Sequence, residues 1–165
     1  MDADGSRRRI GHYRDATWSP HGLFIAATRG NELAALDPKG NVRWTLARRE
    51  PRFPAWAGTR TDTRIAYVSG GSLRIVAGDG TGDHAVGPAA PVAPALRPGP
   101  GRVLAYSDGR HAVVYDLDTG RVVRRLSPAP TKLAWSADGK LLLVFSPHQT
   151  RVYAGSRGEI GRAHV

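Results

Sequence analysis

The sequence predicts an all-β chain built from repeated four-stranded units. Three observations carry that expectation: a repeat of about 39 residues, short apolar runs bounded by Gly, Asp and Pro, and no sustained i, i+3, i+4 stripe of the kind a helix needs. The repeat is read from four segments: Ala16-Thr17-Trp18-Ser19-Pro20, Pro54-Ala55-Trp56-Ala57-Gly58, Pro94-Ala95-Leu96-Arg97-Pro98 and Leu133-Ala134-Trp135-Ser136-Ala137. Their central residues stand 38, 40 and 39 positions apart.

Each segment opens a unit in which the same signals follow in the same order. In the first unit the apolar runs are 23–28, 32–36 and 41–46; in the second, 64–69, 72–77 and 84–86. The third has 102–107, 111–116 and 121–126, and the fourth 140–145 and 150–154. With the opening Trp or Leu strand, a complete unit has four strands. The turns between third and fourth strands repeat too. Asp37-Pro38-Lys39-Gly40-Asn41, Asp79-Gly80-Thr81-Gly82 and Asp116-Leu117-Asp118-Thr119-Gly120 each open on Asp, whose carboxylate can take backbone N–H groups, and carry Gly where φ turns positive.

A lone four-stranded sheet cannot bury both faces, so such units must stack, and radial stacking gives a β-propeller. The expectation is an arc of about three and a half blades, an open piece of a ring of roughly six to eight. Its divisions are an outer strand of a preceding blade at 1–11, blades at 12–50, 51–90 and 91–129, and an incomplete blade at 130–158. The tail Glu159-Ile160-Gly161-Arg162-Ala163-His164-Val165 matches one reading frame of a common sequencing-library adapter, GAG ATC GGA AGA GCA CAC GTC. Residues 159–165 are therefore expected to be extraneous, with the natural sequence ending near Gly158 before a fourth outer strand.

Composition narrows the function classes. Cysteine is absent, which excludes disulfides and thiolate metal sites. No apolar run reaches the roughly 20 residues of a spanning helix. The net charge of +10 invites a polyanion partner, yet only Lys39, Lys132 and Lys140 are lysines and the other 21 cations are arginines. Beside abundant Ala, Gly and Pro, that skew fits a GC-rich genome writing arginine into permissive surface positions, and no nucleic-acid partner is expected.

Trp18-Ser19-Pro20-His21-Gly22 and Trp135-Ser136-Ala137-Asp138-Gly139, each before an apolar strand, together with Tyr115-Asp116-Leu117-Asp118-Thr119-Gly120, resemble the WD40-like repeats of TolB-type and YVTN-type bacterial propellers. The resemblance covers nearly the whole chain. The Gly-His pair and terminal Trp-Asp of eukaryotic WD40 repeats are missing, which favours the bacterial group. Such repeats specify a fold far better than a function.

Candidate chemistry is sparse. Gly78-Asp79-Gly80-Thr81-Gly82-Asp83-His84 has the look of a calcium loop or phosphate cradle but lacks the P-loop Lys-Ser/Thr and the EF-hand spacing, and reads as a tight turn. His12, His21, His84, His111, His148 and His164 form no HExxH pair, and no serine sits in a Gly-x-Ser-x-Gly elbow. Trp18, Trp44, Trp56 and Trp135 read as blade core. The arginine clusters Arg7-Arg8-Arg9, Arg48-Arg49 with Arg52, and Arg121 with Arg124-Arg125 fall on or just after expected outer strands, where charge discourages strand addition. Arg121, Arg124 and Arg125 are the candidates for a basic rim able to face phospholipid or an acidic partner.

No catalytic, cofactor-binding or metal-ligating set emerges. The leading expectation is a non-enzymatic propeller that serves as a protein-interaction scaffold or ligand-binding module for a protein partner or small ligand. The alternative is the sensor or gating propeller of a larger hydrolase-type enzyme whose catalytic domain lies outside this piece. The TolB-type resemblance implies the cell envelope, with membrane anchoring only through upstream sequence.

Overall fold

The computed structural model describes residues 9–58, 63–99, 102–155 and 159–163, the last stretch as backbone. The described residues contain strands and turns and no helix. Four antiparallel sheets follow one another, each laid down in chain order. The first holds β1 (Asp15–Trp18), β2 (Ile25–Arg29), β3 (Glu32–Leu36) and β4 (Val42–Ala47). The second holds β5 (Arg52–Gly58), β6 (Thr63–Ser69), β7 (Ser72–Ala77) and β8 (His84–Pro88). In the third are β9 (Ala95–Leu96), β10 (Val103–Ser107), β11 (Ala112–Asp116) and β12 (Arg121–Leu126), and in the fourth β13 (Lys132–Trp135), β14 (Leu141–Ser146), β15 (Gln149–Ala154) and β16 (Glu159–Ala163). The architecture is all-β, a propeller- or solenoid-like arc.

The repeat positions are equivalent in space. Trp18, Trp56, Leu96 and Trp135 all lie on the first strand of their sheets, opposite Ile25, Ile65, Leu104 and Leu142 of the second. First strands neighbour one another in series, β1 against β5, β5 against β9 and β9 against β13. Apolar clusters fill the spaces between sheets. Ala26, Leu33, Trp56, Ile65, Tyr67 and Val76 pack between the first and second. Ala66, Leu73, Ile75, Leu104 and Val113 belong to the next layer, and Ala105, Val114, Leu133, Leu142 and Val144 to the one after. Middle strands are thus apolar on both faces, as sheets sandwiched between sheets require.

The Trp-Ser-x-x-Gly motif has a local cause. In both copies the serine hydroxyl accepts the backbone N–H five residues on, Phe24 to Ser19 and Leu141 to Ser136, each at 3.0 Å. The glycine closes the same turn, Gly22 N–H to Ser19 O and Gly139 N–H to Ser136 O, both at 2.9 Å. Gly139 is forced twice over: its φ is +68°, and a Cβ there would strike the carbonyl of Pro98 in the β9–β10 connection. The Asp-led turns behave as read. Asp37 takes the N–H groups of Lys39 and Asn41, Asp79 that of Thr81, and Asp116 those of Asp118 and Thr119.

The fourth sheet takes its last strand, β16, from residues 159–163, on the segment expected to be extraneous. Two expectations need correcting. Trp18 is 56% exposed rather than core, because its indole faces a side where no described sheet precedes the first. Leu23, placed in a strand by its run of apolar neighbours, lies in the Ser19 turn and is exposed. The outer strand expected at 1–11 falls mainly on residues outside those described, and His164 lies outside them as well.

Candidate functional site

The arginines divide into those that join sheets and those that face solvent. Arg48, just after β4, donates its Nε to Asp83 Oδ2 at 2.8 Å. Arg74 of β7 donates to the same carboxylate from Nε at 3.0 Å, and Tyr67 Oη donates to its other oxygen. The Asp83 side chain is only 4% exposed. Burial works against its charge, but the bonds from Arg74, Tyr67 and Arg48 outweigh that cost and hold the carboxyl below the usual range. Tyr67 is pushed up to about 12, first by burial and then by the Asp83 carboxylate.

Asp15 of β1 makes a second joint. It accepts Arg52 Nε at 2.8 Å, the Phe53 N–H at 3.2 Å and the Thr28 hydroxyl at 3.4 Å. These contacts outweigh burial and lower its pKa. Arg52 is therefore an inner-strand residue tied to the first sheet, and Arg48 is tied to the second. The expectation that both were solvated edge charge is corrected by their carboxylate partners, which lie 37 and 35 residues away in sequence.

Arg121, Arg124 and Arg125 all lie on β12. Arg121 and Arg125 are exposed, while Arg124 is half-buried and donates Nη1 to Ala154 O of the fourth sheet at 3.0 Å. The strand thus offers two exposed cations and one interface residue. Arg7 and Arg8 lie outside the described residues, and Arg9 is exposed.

Of the histidines, His12, His84 and His148 are exposed, His21 sits edge-on to Phe24 and Trp56, and His111 pairs with Asp108 at 3.3 Å. Among the described residues no three His, Cys, Asp or Glu side chains converge as a metal would require. No helix there is long and apolar enough to cross a membrane.

A cleft of about 470 Å³ lies at the end of the sheets where the β4–β5 connection, the β6–β7 turn and the β8–β9 connection meet. Its lining includes Arg14, Arg49, Glu50, Arg52, Gly70 and Gly71, with Val68, Ala89 and Pro91 adding apolar surface. The β4–β5 connection is held in an unusual shape. Glu50 of this connection has φ +43°, and Phe53, already in β5 at the register shift between Arg52 and Ala55, has φ +54°, both left-handed without being glycine. For a residue as bulky as Phe that is an outlier, at a cost of roughly 1–3 kcal/mol. Hydrogen bonds hold the connection at Arg49 and Glu50: Ser69 Oγ and Gly70 N–H donate to Arg49 O at 2.7 and 3.2 Å, and Glu50 N–H donates to Asn31 Oδ1 at 3.0 Å.

A second cavity of about 490 Å³ lies at the other end, lined by Phe24, Ala35, Arg43, Trp44, Gly78 and Asp79. It surrounds an indole whose Nε1 donates to Gly78 O at 2.9 Å, a joint between the first two sheets.

Sequence reasoning did not reach the first cleft, since Gly70-Gly71 was legible only as a turn. One signal was available. Residues 48–52, the β4–β5 connection and the start of β5, carry Arg48, Arg49 and Arg52, whereas the equivalent residues 89–93 and 127–131 are Ala, Pro, Val, Ser and Thr. A scan against models of protein families and a search of curated proteins both return no match to this chain.

Proposed function

We propose that the chain is an arc of a bacterial TolB- or YVTN-like β-propeller that works as a non-enzymatic binding module, seating a small ligand or a partner's side chain in the cleft between its first and second sheets. The carrying observation is the β4–β5 connection, where Glu50, a non-glycine residue lining the open cleft, adopts a left-handed conformation and is fixed by hydrogen bonds. Strain of this kind persists only where the surroundings over-determine it, and it concentrates at sites that need a fixed shape. Support for a propeller over a straight solenoid comes from the serial contact of first strands, about which successive sheets can turn. Location at the cell envelope rests on the repeat resemblance.

The test is a fragment screen on the full chain read by backbone amide chemical shifts. Binding is expected to cluster on Arg14, Arg49, Ser69, Gly70 and Gly71. Hits gathering instead around Trp44, or scattered over the sheets, would overturn the assignment of the cleft. Turnover of ester, peptide or phosphate-ester substrates would overturn the non-enzymatic reading.

A further inference from the structure

We infer that the cleft is an oxyanion seat: Arg14 and Arg49 take one carboxylate or phosphate group of a small ligand whose remaining body rests on Val68, Ala89 and Pro91. The inference rests on the cleft being the binding site proposed above and adds the chemistry of what it holds.

Three arginines line the cleft against one acid, Glu50. Their commitments differ. Arg52 is neutralised by Asp15, with Nε 2.8 Å from Oδ2. Arg14 and Arg49 are exposed, and no carboxylate among the described residues pairs with either. Neighbouring arginines show that this is a local choice, since Arg48, one residue earlier, is held by Asp83.

Both exposed cations stand on anchored backbone. Arg14 N–H donates to Thr28 O at 2.8 Å, and Arg49 O accepts the two bonds from Ser69 and Gly70. The backbone that carries each guanidinium is thereby fixed before ligand arrives, and the side-chain rotamers are ordered on binding. Opposite them, the turn at Gly70 and Gly71 offers no side chain, and space remains open where a Cβ on either glycine would stand. Guanidinium is suited to carboxylate and phosphate because its planar N–H fork can meet two oxygens at once.

Glu50 sets a limit on the ligand. A carboxylate in the same cleft repels dense negative charge, so a single oxyanion group on a small body is favoured over a polyphosphate backbone. The apolar lining supplies the remaining contact.

The test titrates the full chain with phenyl phosphate, inorganic phosphate and benzyl alcohol, read by amide shifts, and with vesicles of phosphatidylserine in phosphatidylcholine, read by co-sedimentation. Phenyl phosphate is expected to shift Arg49, Ser69, Gly70 and Gly71 saturably and to bind at least about tenfold more tightly than benzyl alcohol. Arg14→Ala and Arg49→Ala should each weaken it about five- to tenfold, and the double variant should abolish it, while Arg121→Ala changes nothing. Unchanged thermal midpoints in the variants would establish that they fold. Vesicle binding lost in the double variant, on top of phenyl phosphate binding, would identify the source as a lipid headgroup; phenyl phosphate binding without vesicle binding would identify a soluble ligand. Equal affinity for phenyl phosphate and benzyl alcohol at the cleft would overturn the oxyanion seat and leave the binding module standing. Absence of all three probes from the cleft would overturn both.

Discussion

The indole Nε1 of Trp135 donates to the carbonyl oxygen of Ala95 at 3.1 Å, and these two residues lie 40 positions apart, one repeat. Trp56 does the same to Thr17, at 3.2 Å and 39 positions. In each case the acceptor is the residue just before the equivalent position on the first strand of the preceding sheet. The repeat in sequence is thus also a chain of hydrogen bonds from sheet to sheet, interrupted where Leu96 takes the place of Trp. Small residues share these interfaces: Ala105 belongs to the cluster against which Trp135 packs, and Ala26 to that of Trp56.

Trp135→Phe should therefore cost about 1–2 kcal/mol, since it leaves the Ala95 carbonyl without its donor while keeping most apolar contact. Trp135→Ala should cost about 3–5 kcal/mol. Ala105→Leu should destabilise by about 1–3 kcal/mol through overpacking at the same interface. Urea denaturation of the three variants checks the order, and a Phe variant as damaging as the Ala variant would show that the hydrogen bond, rather than the ring, dominates.

The two left-handed glycines Gly70 and Gly139 separate backbone conformation from space. Both have positive φ, +57° and +68°, but a Cβ at Gly70 meets nothing within 4 Å whereas one at Gly139 collides with Pro98. Gly70→Ala should cost about 1 kcal/mol, the left-handed penalty alone. Gly139→Ala should cost about 2 kcal/mol or more, because the third and fourth sheets must also part. Equal losses in thermal unfolding would contradict the close approach.

What could be read from the sequence, and what could not, follows from how far apart the interacting residues lie. Ser136 closing on Leu141 and Asp37 on Asn41 are local, so residue type and spacing sufficed to place those turns. The repeat placed Trp56 and Trp135 correctly because each finds the same neighbour one period back. Trp18 has the same residues around it in sequence but no described sheet before it, and burial is a property of the neighbour. Asp83 passed for one more turn residue, since its partners Arg48 and Arg74 are brought to it only by the packing of two sheets and the pairing of β7 with β8. The cleft was hidden for the same reason, as three connections from different parts of the chain form it.

The Asp83 joint should make stability depend on pH at both extremes. Its folded pKa is depressed, so its contribution is present above the unfolded carboxyl value, near 3.9, and is lost as pH falls through the lower folded value. Tyr67 works in the opposite direction. Its phenol is raised to about 12 against about 10 unfolded, so the unfolded state ionises first and stability falls as pH rises from about 10 to 12. Asp83→Asn should reduce the acid-side dependence, leaving the share of Asp15 and the other lowered carboxylates, and cost about 2–3 kcal/mol at neutral pH, because two arginines lose a charged acceptor. Tyr67→Phe should flatten the alkaline limb and, by withdrawing one donor from Asp83, also shrink part of the acid limb. Denaturation profiles from pH 2 to 12 in both variants separate these effects, and an unaltered acid limb in Asp83→Asn would remove Asp83 from the account.

The strand β12 supplies the last prediction, because its three arginines differ in what they touch. Arg121 and Arg125 are exposed, and replacing either with Ser should change stability by less than about 0.5 kcal/mol. Arg124 reaches across to Ala154 O, so Arg124→Ser removes a charge-assisted bond between the third and fourth sheets and should cost about 1–2 kcal/mol. This separates two roles that a triple substitution would confound. If the three formed a membrane-facing rim, each would add about 1 kcal/mol of attraction to an anionic surface, screened over roughly 8–10 Å at physiological salt. With Arg124 engaged, β12 offers only Arg121 and Arg125 to such a surface, too few for stable association by this strand. The expected result is weak binding to acidic vesicles at low salt, unchanged by Arg124→Ser and absent at physiological salt. Strong association that disappears in Arg121→Ser with Arg125→Ser, while the fold stays intact, would establish β12 as a membrane-facing edge.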